Sequence, residues 1–294
     1  MSANEETTNA QAPTIASPAT VGEILASAIT QLDASPSARL DAEVLLAHAL
    51  ERPRTFVHSH EGEAVAPAVA ARIAALVERR RRGEPIAYIT GHREFWSLDF
   101  EVDASVLIPR PETELLVEFA LEVLPAEAHV RVLDLGTGSG AVALAIARER
   151  PNARIIASDA STSALTLACR NAEHLGIGNV SFVKGEWYES LGAMHCDLIV
   201  SNPPYVASDD PALRSGDASY EPRLALSPGP TGLEAIERIV AGARAHLRSG
   251  GSLAIEHGAE QGAAVRALFS SHGLSTIRTR RDLAGHERVT TGRH

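Results

Sequence analysis

The sequence predicts an α/β fold: a doubly wound, mostly parallel sheet with an antiparallel edge hairpin, preceded by a small all-helical domain. Three observations predict it. From His129 onward, short β-branched runs alternate with amphipathic segments of helical length, the pattern of a parallel sheet wound in two directions. One of those runs, Val132-Leu-Asp-Leu135, passes directly into a glycine-rich turn, Gly136-Thr137-Gly138-Ser139-Gly140. Residues 20–84, in contrast, carry helical periodicity and no strand-like run.

Composition sets outer bounds. A chain of 294 residues has room for one large or two ordinary domains. A content of 45% hydrophobic and 22% charged residues is that of a globular protein. The net charge of −10 argues against a general nucleic-acid binder and leaves room only for a local basic patch. Lys184 is the only lysine, a bias that genomic composition explains without any function. No apolar run reaches the roughly 18–20 residues that span a bilayer. The start of the chain lacks the basic opening and long apolar centre of a signal peptide. Two cysteines, Cys169 and Cys196, are too few for a disulfide framework or a four-thiolate zinc site. A reducing cytoplasm, no membrane and a monomer are expected.

Residues 1–19 are rich in Ala, Thr, Asn, Pro and Glu, have little apolar periodicity, and are expected to form a disordered tail. Order begins at Thr20, where Thr20-Val-Gly-Glu23 fits a capping box ahead of a helix faced by Ile24, Leu25, Ala28, Ile29 and Leu32. After a turn at 33–37, a second helix runs over 38–51, with Leu40, Val44, Leu45 and Leu50 expected inward and Pro53 beyond its end. A short helix near Phe56 follows. Another over 67–82, with Val69, Ile73, Leu76 and Val77 apolar, stops at Gly83. This helical domain is expected over 20–84. Residues 85–110 turn aromatic and β-branched and predict a linking β-hairpin at about 92–103, after which prolines lead into a helix from Glu112.

The remaining domain, 111–294, carries predicted strands at 130–135, 154–158, 180–184, 197–200 and 252–256. Helices are predicted at 140–150, 161–175, 232–248 and 260–272, and a closing strand pair near 275–280 and 287–291.

The glycine turn is a nucleotide-site candidate, because Gly136, Gly138 and Gly140 let the backbone turn tightly and approach a ligand. Asp159, 23 residues after Gly136, ends the next strand, where an acid can accept both ribose hydroxyls. A helix N-cap is the competing role for it, and the two can coexist. Gly136-x-Gly138-x-x-Ala141 also satisfies a loose dinucleotide fingerprint. Asp134, placed to face a cationic amino acid group, and the Gly-x-Gly-x-Gly spacing, which resembles the first motif of the class I methyltransferases, favour S-adenosylmethionine. Trp187, after the third strand, is expected either to stack on adenine or line the pocket, or else to be a core tryptophan.

Asp197-Leu-Ile-Val200 is a buried strand that Asn202-Pro203-Pro204-Tyr205 stops abruptly, since neither proline has an N–H for a ladder. The loop thus presents an amide, a rigid turn and an aromatic ring at the ligand-binding edge of the sheet. A glutamine amide or an adenine amino group is a poor nucleophile, because its lone pair is delocalised. Acceptors such as the Asn202 side-chain oxygen and the Pro203 carbonyl orient such a nitrogen and stabilise its developing positive charge. Tyr205 is expected to pack on the planar substrate.

These residues resemble the bacterial peptide-chain release factor glutamine N5-methyltransferases from about Thr20 onward. The resemblance rests on Pro85-Ile-Ala-Tyr-Ile-Thr-Gly91, Arg93-Glu-Phe-Trp-Ser-Leu98, Leu107-Ile-Pro-Arg-Pro-Glu-Thr-Glu114, the glycine turn and Ser201-Asn-Pro-Pro-Tyr205. It continues through Tyr220-Glu-Pro-Arg-Leu-Ala-Leu226 and Glu287-Arg-Val-Thr290. It implies a helical domain joined by a hairpin to a class I S-adenosylmethionine-dependent methyltransferase domain, which methylates the glutamine of the release-factor Gly-Gly-Gln motif. It further implies that Gly136, Thr137, Gly138, Ser139, Gly140, Asp159, Trp187 and Asn202 bind the cofactor. Asn202, Pro203, Pro204 and Tyr205 would bind the glutamine, with Asn202, Pro203 and Tyr205 catalytic. Glu186 departs from the aspartate expected there.

Arg79-Arg-Arg-Arg82 reads either as a partner contact or as a solvated helix end that complements the helix dipole. Arg110 and Glu112 either border the pocket or serve a structural ion pair. The histidines show no zinc spacing, and no metal is expected. Adenine-N6 methylation of nucleic acid, a nicotinamide-dependent oxidoreductase and a non-catalytic adapter for release factors remain as alternatives. The acidic chain weighs against the first, and the second has no need of Asn202-Pro-Pro-Tyr205.

Overall fold

The computed structural model describes residues 18–294, so the tail expected at 1–19 lies almost wholly outside the described residues. The chain divides into two compact units, one ending at Arg82 and one spanning Gly83–His294.

The first unit contains α1 (Val21–Gln31), α2 (Ala38–Leu50), α3 (Arg54–Ser59) and α4 (Pro67–Arg81). The capping box forms: Thr20 Oγ1 accepts from the Glu23 N–H, and the Glu23 carboxylate accepts from the Thr20 N–H at 2.8 Å. Leu25, Leu45, Leu46, Val57, Ile73 and Val77 are buried. The expected inward face of α2 is corrected. Leu40 is 45% exposed, whereas Asp41, Ala42 and Glu43 are buried. Both acids go inward because each meets compensating donors. Asp41 accepts from Arg80 at 2.7 Å and from the hydroxyls of Ser35 and Ser37. Glu43 pairs with Arg39 and Arg54. A buried carboxylate is tolerable only with such partners. The arginine run is therefore only partly a solvated end: Arg80 is committed to Asp41, while Arg81 and Arg82 bond Glu78.

The second unit opens with α5 (Ile86–Thr90) and a hairpin, β1 (His92–Phe95) and β2 (Leu98–Glu101). A 3-10 turn at Pro111–Thr113 then leads into α6 (Glu114–Val123). β3 (Arg131–Leu135), α7 (Ala141–Glu149), β4 (Arg154–Asp159), α8 (Thr162–Leu175), β5 (Val180–Lys184) and β6 (Cys196–Ser201) follow. After α9 (Arg223–Leu226) come α10 (Glu234–His246), β7 (Leu247–Glu256), α11 (Gly262–Ser271), β8 (Ser275–Arg281) and β9 (Glu287–Arg293). The seven-stranded sheet has the order β5-β4-β3-β6-β7-β9-β8. The first five strands in that order run parallel, and β9 is antiparallel to both β7 and β8.

Alternation along each strand builds a core on both faces. Val132, Leu198, Val200 and Ala254 pack with Leu116, Val117 and Leu144 of α6 and α7. Leu133, Leu135, Ile199, Leu253 and Ile255 pack with Ile236, Ile239, Val240 and Phe269 of α10 and α11. β7 begins at Leu247, earlier than the predicted 252, because Leu247 pairs with Cys196 across a register shift. Gly250 and Gly251 fall within this irregularity, with Gly250 at φ +78°.

Candidate active site

The sheet order reverses between β3 and β6, which pair in parallel through Val132–Leu198, Leu133–Ile199 and Asp134–Val200. A crevice at the carboxyl ends of the strands is expected where the order reverses. The glycine turn leaves β3 there and the Asn202 loop leaves β6 beside it. Ser201 Oγ donates to the Leu135 carbonyl at 2.6 Å, joining the two strand ends.

Gly136, Gly138 and Gly140 have φ of +74°, +56° and +84°, values that glycine adopts without steric cost. Asp134 accepts from Thr137 Oγ1 at 2.6 Å. Asp159 accepts from the Gly138 N–H at 2.9 Å and from the Ser161 N–H at 2.8 Å. The N-cap of α8 is Ser161 rather than Asp159, so the acid is not consumed by capping. Buried Asn171 binds both backbone polar groups of Glu101 in the hairpin, and its Nδ2 also donates to the Ser139 carbonyl at 2.9 Å.

These elements enclose a cavity of about 490 Å³, within the usual range of ligand sites. Gly136, Thr137, Gly138, Ser139, Asp159, Trp187, Asn202 and Pro204 all line it. Gly140 does not; a Cβ there would meet Leu144 Cδ1 at 3.1 Å, so its role is close packing of the turn. Pro203 and Tyr205 are also off the wall. Pro203 is buried, and the Tyr205 ring packs against the apolar cluster beneath α10, with its hydroxyl donating to Glu256 Oε1 at 3.2 Å. The ring is thus held in the core behind the cavity instead of packing on a planar substrate as expected. Trp187 adopts φ +52°, an uncommon conformation for a bulky residue, and its ring lies over Gly136.

The charge pattern is acidic. Burial pushes the Asp134 carboxyl up to about 7 and also raises Asp159. A buried acid of this kind favours a cationic partner. Glu186 pairs with Arg238 of α10, and both side chains border the cavity. Trp187 Nε1 and Asn202 Oδ1 are buried with no hydrogen-bond partner, leaving one spare donor and one spare acceptor. A ligand with an ammonium group, vicinal hydroxyls and a heteroaromatic ring fits this set, as S-adenosylmethionine requires.

Several contributors escaped sequence reasoning. Thr113 accepts from Asn202 Nδ2 at 3.1 Å and lines the cavity, and Glu256 is fully buried behind the loop. Thr113 stands within a quoted motif without an assigned role. Glu256 is visible only as an acid ending an apolar run. Arg110 does not line the cavity; its Nη2 donates to both carboxylate oxygens of Glu221, at 2.7 and 2.6 Å, which steadies the segment carrying Leu224 at the cavity wall. Among the described residues no group of acids, histidines and cysteines is arranged to hold a metal ion, and no helix is long and apolar enough to cross a membrane.

Residues 23–91 match a family model described as the PrmC N-terminal domain, and residues 113–215 one described as a methyltransferase small domain. The chain is 51% identical over 255 residues to a release factor glutamine methyltransferase of Xylella fastidiosa (strain Temecula1), covering 87% of this chain and 93% of that protein. It is 48% identical over 270 residues to the release factor glutamine methyltransferase of Escherichia coli (strain K12), covering 92% and 97%. Among solved structures, a 16S rRNA N2 G1207 methyltransferase of T. thermophilus, in complex with AdoMet and guanosine, superposes with a TM-score of 0.53 at 19% identity. That match covers 69% of this chain and 49% of the other, and is a likeness of fold.

Proposed function

We propose a reaction for this cavity from one premise: the chain belongs to the family of release factor glutamine methyltransferases. The protein is an S-adenosylmethionine-dependent protein-(glutamine-N5) methyltransferase, and its substrate is the glutamine side chain of the Gly-Gly-Gln motif in peptide-chain release factors. Bound S-adenosylmethionine supplies a methyl group on a sulfonium centre. Asp134 suits the cofactor's ammonium group and Asp159 its ribose hydroxyls. The glycine turn admits the backbone close to it, and Trp187 walls the pocket.

The observation that carries the reading is Asn202 Oδ1. Asn202 lines a cavity shared with the glycine turn, and this oxygen is a buried acceptor without a partner. A carboxamide nitrogen holds little free electron density. Accepting one of its N–H bonds orients the nitrogen and stabilises the charge it gains as it takes the methyl group. The Pro203 carbonyl is proposed as the second acceptor. Pro204 on the wall and Tyr205 beneath it keep the loop rigid. The proton leaves nitrogen after transfer, so no base is required beforehand. The enzyme acts on a protein partner as a monomer in the cytoplasm and forms no stable nucleic-acid complex.

Mass spectrometry of a release factor after incubation with the enzyme and S-adenosylmethionine tests this. One added methyl group on the Gly-Gly-Gln glutamine is expected. Labelling of DNA under the same conditions, with none in the release factor, overturns it.

A further inference from the structure

We infer that Thr113 and Glu256 are positioning residues of the methyl transfer, fixing the Asn202 carboxamide with its oxygen toward the substrate. The inference rests on the reaction proposed above and assigns two residues to it.

A carboxamide is nearly symmetric in shape and opposite at its two ends. Rotated by a half-turn, Asn202 would offer an NH2 group where the substrate nitrogen needs an acceptor, and two donors would face each other. The observed bond from Nδ2 to Thr113 Oγ1 at 3.1 Å prevents this and leaves Oδ1 as the free end. Thr113 alone does not make the choice, because a hydroxyl both donates and accepts.

Glu256 makes it. Its side chain is fully buried at the end of β7; burial pushes its carboxyl up to about 7, and the Thr113 and Tyr205 hydroxyls oppose that by bonding the charged form. Oε2 is buried with no hydrogen-bond partner of its own. In its charged form this carboxylate turns the Thr113 O–H toward it, which leaves the oxygen lone pair facing Asn202. Only the NH2 end of Asn202 satisfies that lone pair. The same carboxylate accepts from the Tyr205 hydroxyl at 3.2 Å, so it governs both ends of the Asn202-Pro-Pro-Tyr205 loop. Burying a carboxylate with an unsatisfied oxygen is costly, and an apolar side chain would fill the end of β7 without that cost. Orientation of the loop accounts for an acid here.

The test compares wild type, Thr113→Val, Thr113→Ser and Glu256→Gln. It measures kcat and KM on a release factor, cofactor affinity by calorimetry, and exchange of the Asn202 side-chain amide protons by NMR. Thr113→Val keeps the shape and removes the acceptor, so kcat should fall about tenfold or more, approaching the loss of one preorganised catalytic hydrogen bond. Cofactor affinity should stay within about twofold, as for an interaction made chiefly in the transition state. Thr113→Ser should restore most of kcat. Glu256→Gln, which offers Thr113 a donor as well as an acceptor, should lower kcat and speed exchange of the Asn202 amide. A Thr113→Val enzyme with wild-type kcat overturns the inference, as does Thr113→Ser failing equally, or an Asn202 amide no better protected in wild type than in Thr113→Val. Protection with no methylation of release factor by wild type supports the fixed amide and overturns the reaction reading instead.

Discussion

The carboxylate of Asp159 accepts the backbone N–H of Gly138 at 2.9 Å, so the tip of one strand holds the centre of the glycine turn that leaves its neighbour. The acid proposed for the cofactor's ribose is therefore also a strut of the turn beneath it.

Replacing Asp159 with Ala removes both functions. Cofactor affinity should fall about 10–100-fold, since hydrogen bonds to a charged acceptor contribute about 1.5–3 kcal/mol. Asp159→Asn, which keeps one acceptor oxygen, should lose less. Calorimetric titration with S-adenosylhomocysteine measures both, and equal affinity in all three proteins would remove Asp159 from the site.

Asp134 should make cofactor binding pH-dependent. Burial raises its folded pKa from 3.8 to about 7. Between those values the cofactor-free folded protein holds a proton that the unfolded chain releases, so the contribution of this group to stability is lost as pH rises through that window. A ligand ammonium group favours the carboxylate and opposes the shift. Binding should therefore tighten from about pH 6 to about pH 7.5, with proton release, below the range where an α-amino group itself titrates. Asp134→Asn should bind more weakly with a flat profile across this interval. A wild-type profile as flat as that of the variant would contradict the assignment.

Asn202→Ala should reduce turnover by about 100-fold or more, in line with removal of a preorganised transition-state contact. Affinity for S-adenosylhomocysteine should be largely kept, because the glycine turn and both acids remain. Rapid single-turnover assays read the first quantity and calorimetry the second. Unchanged turnover would refute the role of Asn202.

Arg110→Ala exposes the dependence of the cavity rim on a buried acid. The Glu221 side chain is fully enclosed and keeps only the Ile108 N–H and the more distant surroundings once Arg110 is gone. Stability should drop by about 2–4 kcal/mol, somewhat below the loss for a wholly enclosed pair, because Arg110 retains some exposure. Arg110→Lys keeps the charge but not the length and planar shape of the guanidinium, and should fall between the two. Urea denaturation separates the three proteins.

Gly232→Ala should damage the loop from behind. Gly232 has φ +76°, and a Cβ would stand 2.4 Å from the Tyr205 carbonyl oxygen. The left-handed conformation alone costs a non-glycine residue about 1–2 kcal/mol. The overlap with backbone cannot be relieved by a rotamer change and must displace Tyr205. Activity should fall by more than the loss of melting temperature explains, and a fully active, equally stable variant would show that the loop tolerates movement.

Much of this protein is determined locally, and that part was legible in the sequence. Three glycines at positive φ after an apolar strand, and two prolines ending another, act through the dihedrals of their own residues, so the turn and the Asn202 loop stand where the pattern placed them. The alternation of strands and helices likewise follows from the burial of each segment's own apolar face, and it carried the sheet with its antiparallel edge. The inward face of α2 was not legible, because the charged partner that lets Asp41 turn inward is Arg80, 39 residues away. The partner of Asn202 was not legible either, because Thr113 lies 89 residues earlier, nor was that of Tyr205, because Glu256 comes from a later strand. A sequence shows that an amide stands at the edge of the sheet. Which end of that amide faces the cavity, and whether Tyr205 is free or bound to a buried acid, depends on groups that meet only when β6, β7 and the turn before α6 pack together, because hydrogen-bond direction is set by neighbours in space.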